Sequence, residues 1–144
     1  MSVDTILVAV RDVDDQTPLL DAVVDVATPT DASIVLARAY DEEEFEKRVD
    51  ELDFDGSPST DEVARRSQSV RDAARVLQDA DIEHTVRGVV GEAGTAFVEL
   101  ADVLDPDLLY VQGKGRNPTG KALFGSTAQT VLLNAPCPVT FVRS

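Results

Sequence analysis

The sequence predicts an α/β protein, an open five-stranded parallel sheet with helices on both faces. Three observations lead there. Thr5-Ile6-Leu7-Val8-Ala9-Val10 is a near-continuous apolar run, the pattern of a central parallel strand buried on both faces. Further such runs alternate with helical patterns in the order βαβ, loop, αβαβαβ, which calls for crossover helices over a parallel sheet. The fourth strand-like run leads into a glycine-rich loop that opens a helix, a strand–loop–helix junction typical of such sheets. With 144 residues, 43% of them apolar, the chain has enough material for one core and is expected to form a single domain, residues 1–144.

Each element follows from local signals. After the first strand, Asp12, Asp14 and Asp15 make a polar loop, and Thr17-Pro18 reads as the cap and first residue of a helix. Leu19, Leu20, Val23, Val24 and Ala27 give that helix one apolar face, and Pro29-Thr30-Asp31 is expected to end it. Ser33–Tyr40 is the second strand. From Asp41 to Ser59 the pattern breaks into a long exposed loop, with a short helix around Glu43–Leu52. Asp53, Asp55 and Gly56 suggest a calcium loop only faintly, because no acidic residue stands at the required end position; a solvated loop is expected. Ser59-Thr60-Asp61-Glu62 starts a long helix whose buried stripe is Val63, Val70, Ala74 and Leu77. On its wet side Arg65, Arg66, Arg71 and Arg75 alternate with Asp61, Glu62, Asp72 and Asp79, as in a solvated, salt-bridged face. Ile82–Val90 is the third strand, with His84 facing solvent. Phe97, Leu100, Ala101 and Leu104 mark the next helix, Leu108–Val111 the fourth strand. Ala128, Val131 and Leu132 mark the last helix, and Val139–Val142 the final strand.

Composition narrows the function. The net charge is −14, from 27 acidic and 13 basic residues. Such charge keeps a chain soluble but self-repelling, and concentrated salt screens that repulsion, so a halophilic cytoplasm is expected. General nucleic-acid binding is excluded, since phosphate backbones would repel the chain. Met1-Ser2-Val3-Asp4 is no signal peptide, and no apolar run is long enough to span a bilayer. The single cysteine, Cys137, rules out an internal disulfide and reads as a small buried hydrophobe; with one histidine, it leaves no transition-metal cluster to build. A cytoplasmic protein without a metal site or membrane contact follows.

The chemistry is expected in the loop after the fourth strand. Tyr110-Val111-Gln112-Gly113-Lys114-Gly115-Arg116 continues through Lys121 to Gly125-Ser126-Thr127. Glycines let the backbone approach a ligand, and the N–H groups and dipole of a helix start favour an anion. Lys114, Arg116 and Lys121 make this the one strongly basic spot in the sequence, suited to a phosphate. It is not a Walker loop, because Ala122 follows Gly120-Lys121, nor the dinucleotide fingerprint, which follows a first strand. Strands one and four are the natural neighbours at the topological switch point, so the loops 11–15 and 112–125 would line one crevice.

Gly115, nine residues, then Gly125-Ser126, followed by Thr127-Ala128-Gln129-Thr130-Val131-Leu132 and Asn134-Ala135-Pro136-Cys137-Pro138-Val139, resembles the universal stress protein family. So do Ile6–Val10, Gly91 and Asp107-Leu108-Leu109, and the resemblance covers essentially all of the chain. It implies a homodimer paired through the last strand (Val139, Thr140, Phe141, Val142) and an adenine nucleotide ligand, ATP with or without Mg2+. By position, Gly115, Gly125, Ser126 and Thr127 would hold phosphates and ribose, and Ala9, Val10 and Ala39 would flank the adenine. Two positions depart from the pattern. Gln112 stands where the first glycine of Gly-x-x-Gly is usual, with Gly113 displaced by one. Arg11 stands where an aspartate is common, placed to meet a phosphate or a carboxylate.

Three functions stay open: a nucleotide-binding regulatory protein, a dimeric interaction module without nucleotide, and a slow ATP hydrolase. No residue stands out as a base, so no catalytic residue is assigned.

Overall fold

The computed structural model describes residues 2–13, 15–52, 56–113 and 124–143. Five parallel strands form one sheet in the order β3-β2-β1-β4-β5: β1 (Thr5–Val10), β2 (Ser33–Tyr40), β3 (His84–Val90), β4 (Leu108–Gln112) and β5 (Val139–Val142). The chain leaves β1 toward β2 on one side and later returns to add β4 on the other, so the order of strand addition reverses between β1 and β4 while all strands stay parallel. In register, Ile6, Leu7 and Val8 pair with Leu108, Leu109 and Tyr110. The carboxylate of Asp107 ties the two strand starts together, accepting from the N–H groups of Asp4 (2.8 Å) and Thr5 (3.0 Å).

Side chains alternate across the pleat, and the two faces bury separate cores. Ile6, Val8 and Val10 of β1, Ile34 and Leu36 of β2 and Tyr110 of β4 face one layer. There they meet Leu19, Leu20, Val23 and Ala27 of α1 (Thr17–Thr30) and Val70, Ala73 and Leu77 of α4 (Gln68–Asp79). Leu7 and Ala9, Ala37 and Ala39, and Leu109 and Val111 face the other layer. That layer is α5 (Ala93–Leu104), through Phe97 and Leu100, and α6 (Ser126–Asn134), through Ala128 and Val131.

Several boundaries differ from the sequence reading. Gln16 precedes helix α1 without a side-chain cap bond, Pro18 is the second residue of the helix, and Asp15 Oδ1 accepts from Thr17 N–H at 2.9 Å. The helix does end within Pro29-Thr30-Asp31 as expected: Pro29 is still helical, Thr30 is the last residue, with its Oγ1 bonded back to Val26 O at 2.7 Å, and Asp31 turns left-handed. The short helix of the acidic stretch, α2, spans Glu42–Glu51. Strand β3 begins at His84 because Asp81 is left-handed and Ile82 N–H closes the end of α4 on Leu77 O. His84 is half-buried, its Nδ1 against Ile82 O.

The long helix expected from Thr60 onward is two helices. Helix α3 (Thr60–Arg66) stops at Ser67, which is extended (φ −66°, ψ 136°) and starts α4. The Ser67 hydroxyl leaves the helical pattern to bond Tyr40 Oη and Val63 O. Val63 and Ala64 pack with Tyr40 in a small cluster of their own, while Val70 joins the main core. Helix α3 lies across edge strand β3 at Gly88, whose N–H donates to Asp61 Oδ1 at 2.7 Å. An edge amide is thereby covered. On the face of α3 and α4 expected to be salt-bridged, Asp61 pairs with Arg87 of β3 instead, and among the described residues Arg65, Arg71 and Arg75 pair with no carboxylate.

Candidate functional site

At the carboxyl ends of β1 and β2 lies a cleft of about 500 Å³, between the N-terminal turns of α2, α5 and α6. Its position follows from the fold: strands stop there, and the N-terminal turns of three helices surround the gap. Arg11, Arg38, Ala39, Phe97, Ala93 and Thr127 line it, with Asp12, Asp41, Glu44 and Glu92 around the rim.

The charges in the cleft are unevenly committed. Asp41 caps α2, accepting from Glu44 N–H at 2.6 Å. Glu92 caps α5, accepting from Gly94 (3.2 Å) and Thr95 (2.9 Å) N–H, and the bonds to Thr95 hold its carboxyl below the ordinary carboxylate range. Asp12 and Glu44 both pair with Arg38 Nη2, at 2.7 and 3.4 Å. Arg38 is only 7% exposed, donates from Nη1 to Ala39 O at 2.6 Å and lies 4.7 Å from the centre of the Tyr40 ring. Arg11 differs from all of these. It donates to Gln112 O at 3.3 Å, and among the described residues no carboxylate pairs with it. Burial lowers its pKa from the usual arginine value, and repulsion from Arg38 lowers it further. Helix α6 starts at Gly125 without a side-chain cap, so its first N–H groups face the junction unclaimed by any described side chain.

The sequence-predicted residues divide by face. Arg11, Ala39 and Thr127 line the cleft together. Ala9 is buried directly below, on the same face as Ala39. Val10 points into the opposite layer with Tyr110 and lies outside the lining. Gly113 is buried, its N–H on Val142 O at 3.0 Å; Gly125 and Ser126 open α6 beside the cleft rather than in its wall. Lys114, Gly115, Arg116 and Lys121 lie outside the described residues. Gln112 shares the face of Tyr110, two residues earlier, so its side chain turns away from the cleft. It is 2% exposed and donates to Asp15 O at 2.8 Å.

Sequence reasoning missed Arg38. The available signal was a charged residue inside the apolar run Ser33–Tyr40, at a position where only a paired charge can be buried. It also missed that the first turn of α2 walls the cleft, through Asp41 and Glu44, because that contact depends on how a polar helix is anchored. Helix α2 buries no residue fully. It is held by Arg38–Glu44, by Arg48–Asp12 at 3.7 Å, and by the Phe45 ring 6.2 Å from that of Tyr40.

Comparison with known proteins places the whole arrangement. The model of the universal stress protein family matches residues 2–143. A universal stress protein of Mycolicibacterium smegmatis is 37% identical over 89 residues, 61% of this chain and 68% of that protein. Among solved structures, a universal stress protein in complex with cAMP superposes with a TM-score of 0.68 at 24% identity, covering 99% of this chain and 98% of the other. One from Archaeoglobus fulgidus, in complex with dAMP, gives 0.67 at 18% identity, covering 99% and 100%. These two similarities establish the shared fold, and the family model, matched over nearly the full length, establishes membership: this chain belongs to the universal stress protein family.

Proposed function

We propose that this chain binds an adenine nucleotide in the cleft at the ends of β1 and β2, beside β4. In this reading ATP is the physiological ligand, and the protein works as a dimeric stress-response regulator. The observation that carries the reading is Arg11, a half-buried guanidinium in a nucleotide-sized cleft with no carboxylate partner among the described residues. A guanidinium in such a place gains strongly from a phosphate, which would also relieve its repulsion by Arg38. The uncapped start of α6, with Thr127 in the cleft wall, adds N–H donors for the same anion. Ala39 and Phe97 supply an apolar surface for a base. The related proteins in complex with cAMP and dAMP support the choice of an adenine nucleotide.

The acidic rim fits this ligand because each rim carboxylate is already engaged by Arg38 or by a helix start. Among the described residues no three His, Cys, Asp or Glu side chains gather to hold a metal, so Mg2+ would accompany ATP on its phosphates. Gly115, Gly125 and Ser126 would complete the phosphate site. The dimer would form along β5, an edge strand paired only with β4 within the described sheet.

Thermal shift and calorimetry in molar salt, with ATP, AMP, cAMP and adenosine, test the reading. Saturation at a hundredfold excess over Kd would stabilise the fold by about 2.7 kcal/mol. Arg11→Gln is expected to weaken the phosphate-bearing ligands roughly tenfold, the loss of one charge-assisted contact, and to leave adenosine unchanged. An unaltered melt at saturating ATP would leave the dimeric interaction module as the function.

A further inference from the structure

We propose that a groove between α3, α4 and edge strand β3 is a second anion site that takes a compact free polyanion with two or more phosphate or carboxylate groups. The groove encloses about 330 Å³. Three arginines, Arg65, Arg71 and Arg75, line it together with His84, over a floor of Val70 and Val86. No acidic side chain lines it.

Four observations support a ligand rather than a solvated surface. First, all three arginines are exposed and none has a hydrogen-bond or ion-pair partner among the described residues. Second, three of the carboxylates near them in sequence are used elsewhere, and Asp79, four residues after Arg75, is exposed and outside the lining. Asp61 holds Gly88 N–H and Arg87, Glu62 accepts from the Ser59 hydroxyl at 3.4 Å, and Asp72 accepts from Gln68 Nε2 at 2.7 Å. Third, Arg71 and Arg75 stand four residues apart on α4, a like-charge spacing that weakens a helix unless something neutralises it. Fourth, the chain has twice as many acidic as basic residues, yet this groove concentrates positive charge without compensation.

The chemistry of the groove selects its ligand. Guanidinium forks match phosphate and carboxylate oxygens in bidentate geometry. The enclosed volume is small and its floor is made of the short side chains Val70 and Val86, while the net charge of −14 repels a long polyanion such as a nucleic acid. A small polyanion therefore fits better than a macromolecule. The site shares no lining residue with the nucleotide cleft and does not depend on it.

Inorganic tripolyphosphate is the probe, with citrate as the carboxylate counterpart. The titration uses the full chain at the lowest salt where its circular dichroism is native, read by calorimetry and by NMR shifts of the arginine Nε–H and His84 signals. Saturable binding is expected, with shifts centred on Arg71, Arg75 and His84. The double variant Arg71→Gln/Arg75→Gln removes two unpartnered exposed charges and should fold normally. It is expected to weaken the binding reported by the groove's own signals at least tenfold, while Arg11→Gln, which acts on the nucleotide cleft, leaves the shifts of Arg71, Arg75 and His84 unchanged. Comparable binding of citrate would widen the class to carboxylates; much weaker binding would narrow it to phosphates. Absence of saturable shifts at Arg71, Arg75 and His84, full His84 shifts in the double variant, or loss of these shifts in Arg11→Gln alone would overturn the proposal.

Discussion

Gln112 at the end of β4 donates its side-chain amide to the main-chain oxygen of Asp15 at 2.8 Å, joining two loops that are 97 residues apart in sequence. The strand alternation puts this side chain on the α1 face, opposite the cleft. A glutamine where the family pattern has glycine therefore acts as a tie between β4 and the β1–α1 loop, and does not fill the cleft.

Gln112→Ala should lower stability by about 1–3 kcal/mol, because Asp15 O would be left unpaired beside a new void. Chemical denaturation measures this. A stability equal to the parent's would show that the bond contributes nothing and that the loops are held elsewhere.

Gly88 is where α3 meets β3. A Cβ there would lie 2.1 Å from Thr60 O and 2.6 Å from Thr60 C, both backbone atoms that cannot rotate aside. Gly88→Ala must push α3 off the sheet edge and strain the Asp61 bond to the Gly88 N–H. The expected cost is about 3 kcal/mol, the upper end of overpacking effects. A melting temperature within a degree or so of the parent's would mean that α3 is loosely seated.

The carboxyls of Asp15, Glu92 and Asp107 are all held below their ordinary values. Bonds from Thr17 act on Asp15, bonds from Thr95 on Glu92, and the N–H groups of Asp4 and Thr5 on Asp107. For each, the folded pKa lies below the unfolded one. The contribution to stability is then complete above the unfolded value and disappears as pH falls through the folded value. Stability in molar salt should hold near neutrality and decline from roughly pH 4 downward. Asp107→Asn should flatten the acid limb; an unchanged limb would mean that the tie between β1 and β4 does not depend on charge.

A net charge of −14 on 144 residues predicts salt-dependent folding. The melting temperature should rise from low to molar potassium chloride as self-repulsion is screened. A flat profile would remove the halophilic reading.

The arrangement of strands and helices was legible in the chain because it rests on local periodicity. Buried parallel strands need continuous apolar runs, and covering helices need one apolar face, so Thr5–Val10 and Leu19–Ala27 could be assigned without any partner in view. The acidic excess and the glycine loop were equally plain, as was the family resemblance. Residues meeting across long sequence distances were not. Val63, Val70, Ala74 and Leu77 read as one helical stripe, and the break at Ser67 became visible only where Tyr40 from β2 claims its hydroxyl. Arg38 passed unnoticed within an apolar strand, and its role shows only where Asp12, Glu44 and the Tyr40 ring surround it. Gln112 and Arg11 both stood out as departures from the family pattern, but only the pleat of the folded sheet turns Gln112 away from the cleft and Arg11 into it. Local pattern determined which elements this protein has; tertiary structure decided which charges meet, because an ion pair or a cleft is made by atoms that the chain brings together only after the sheet has closed.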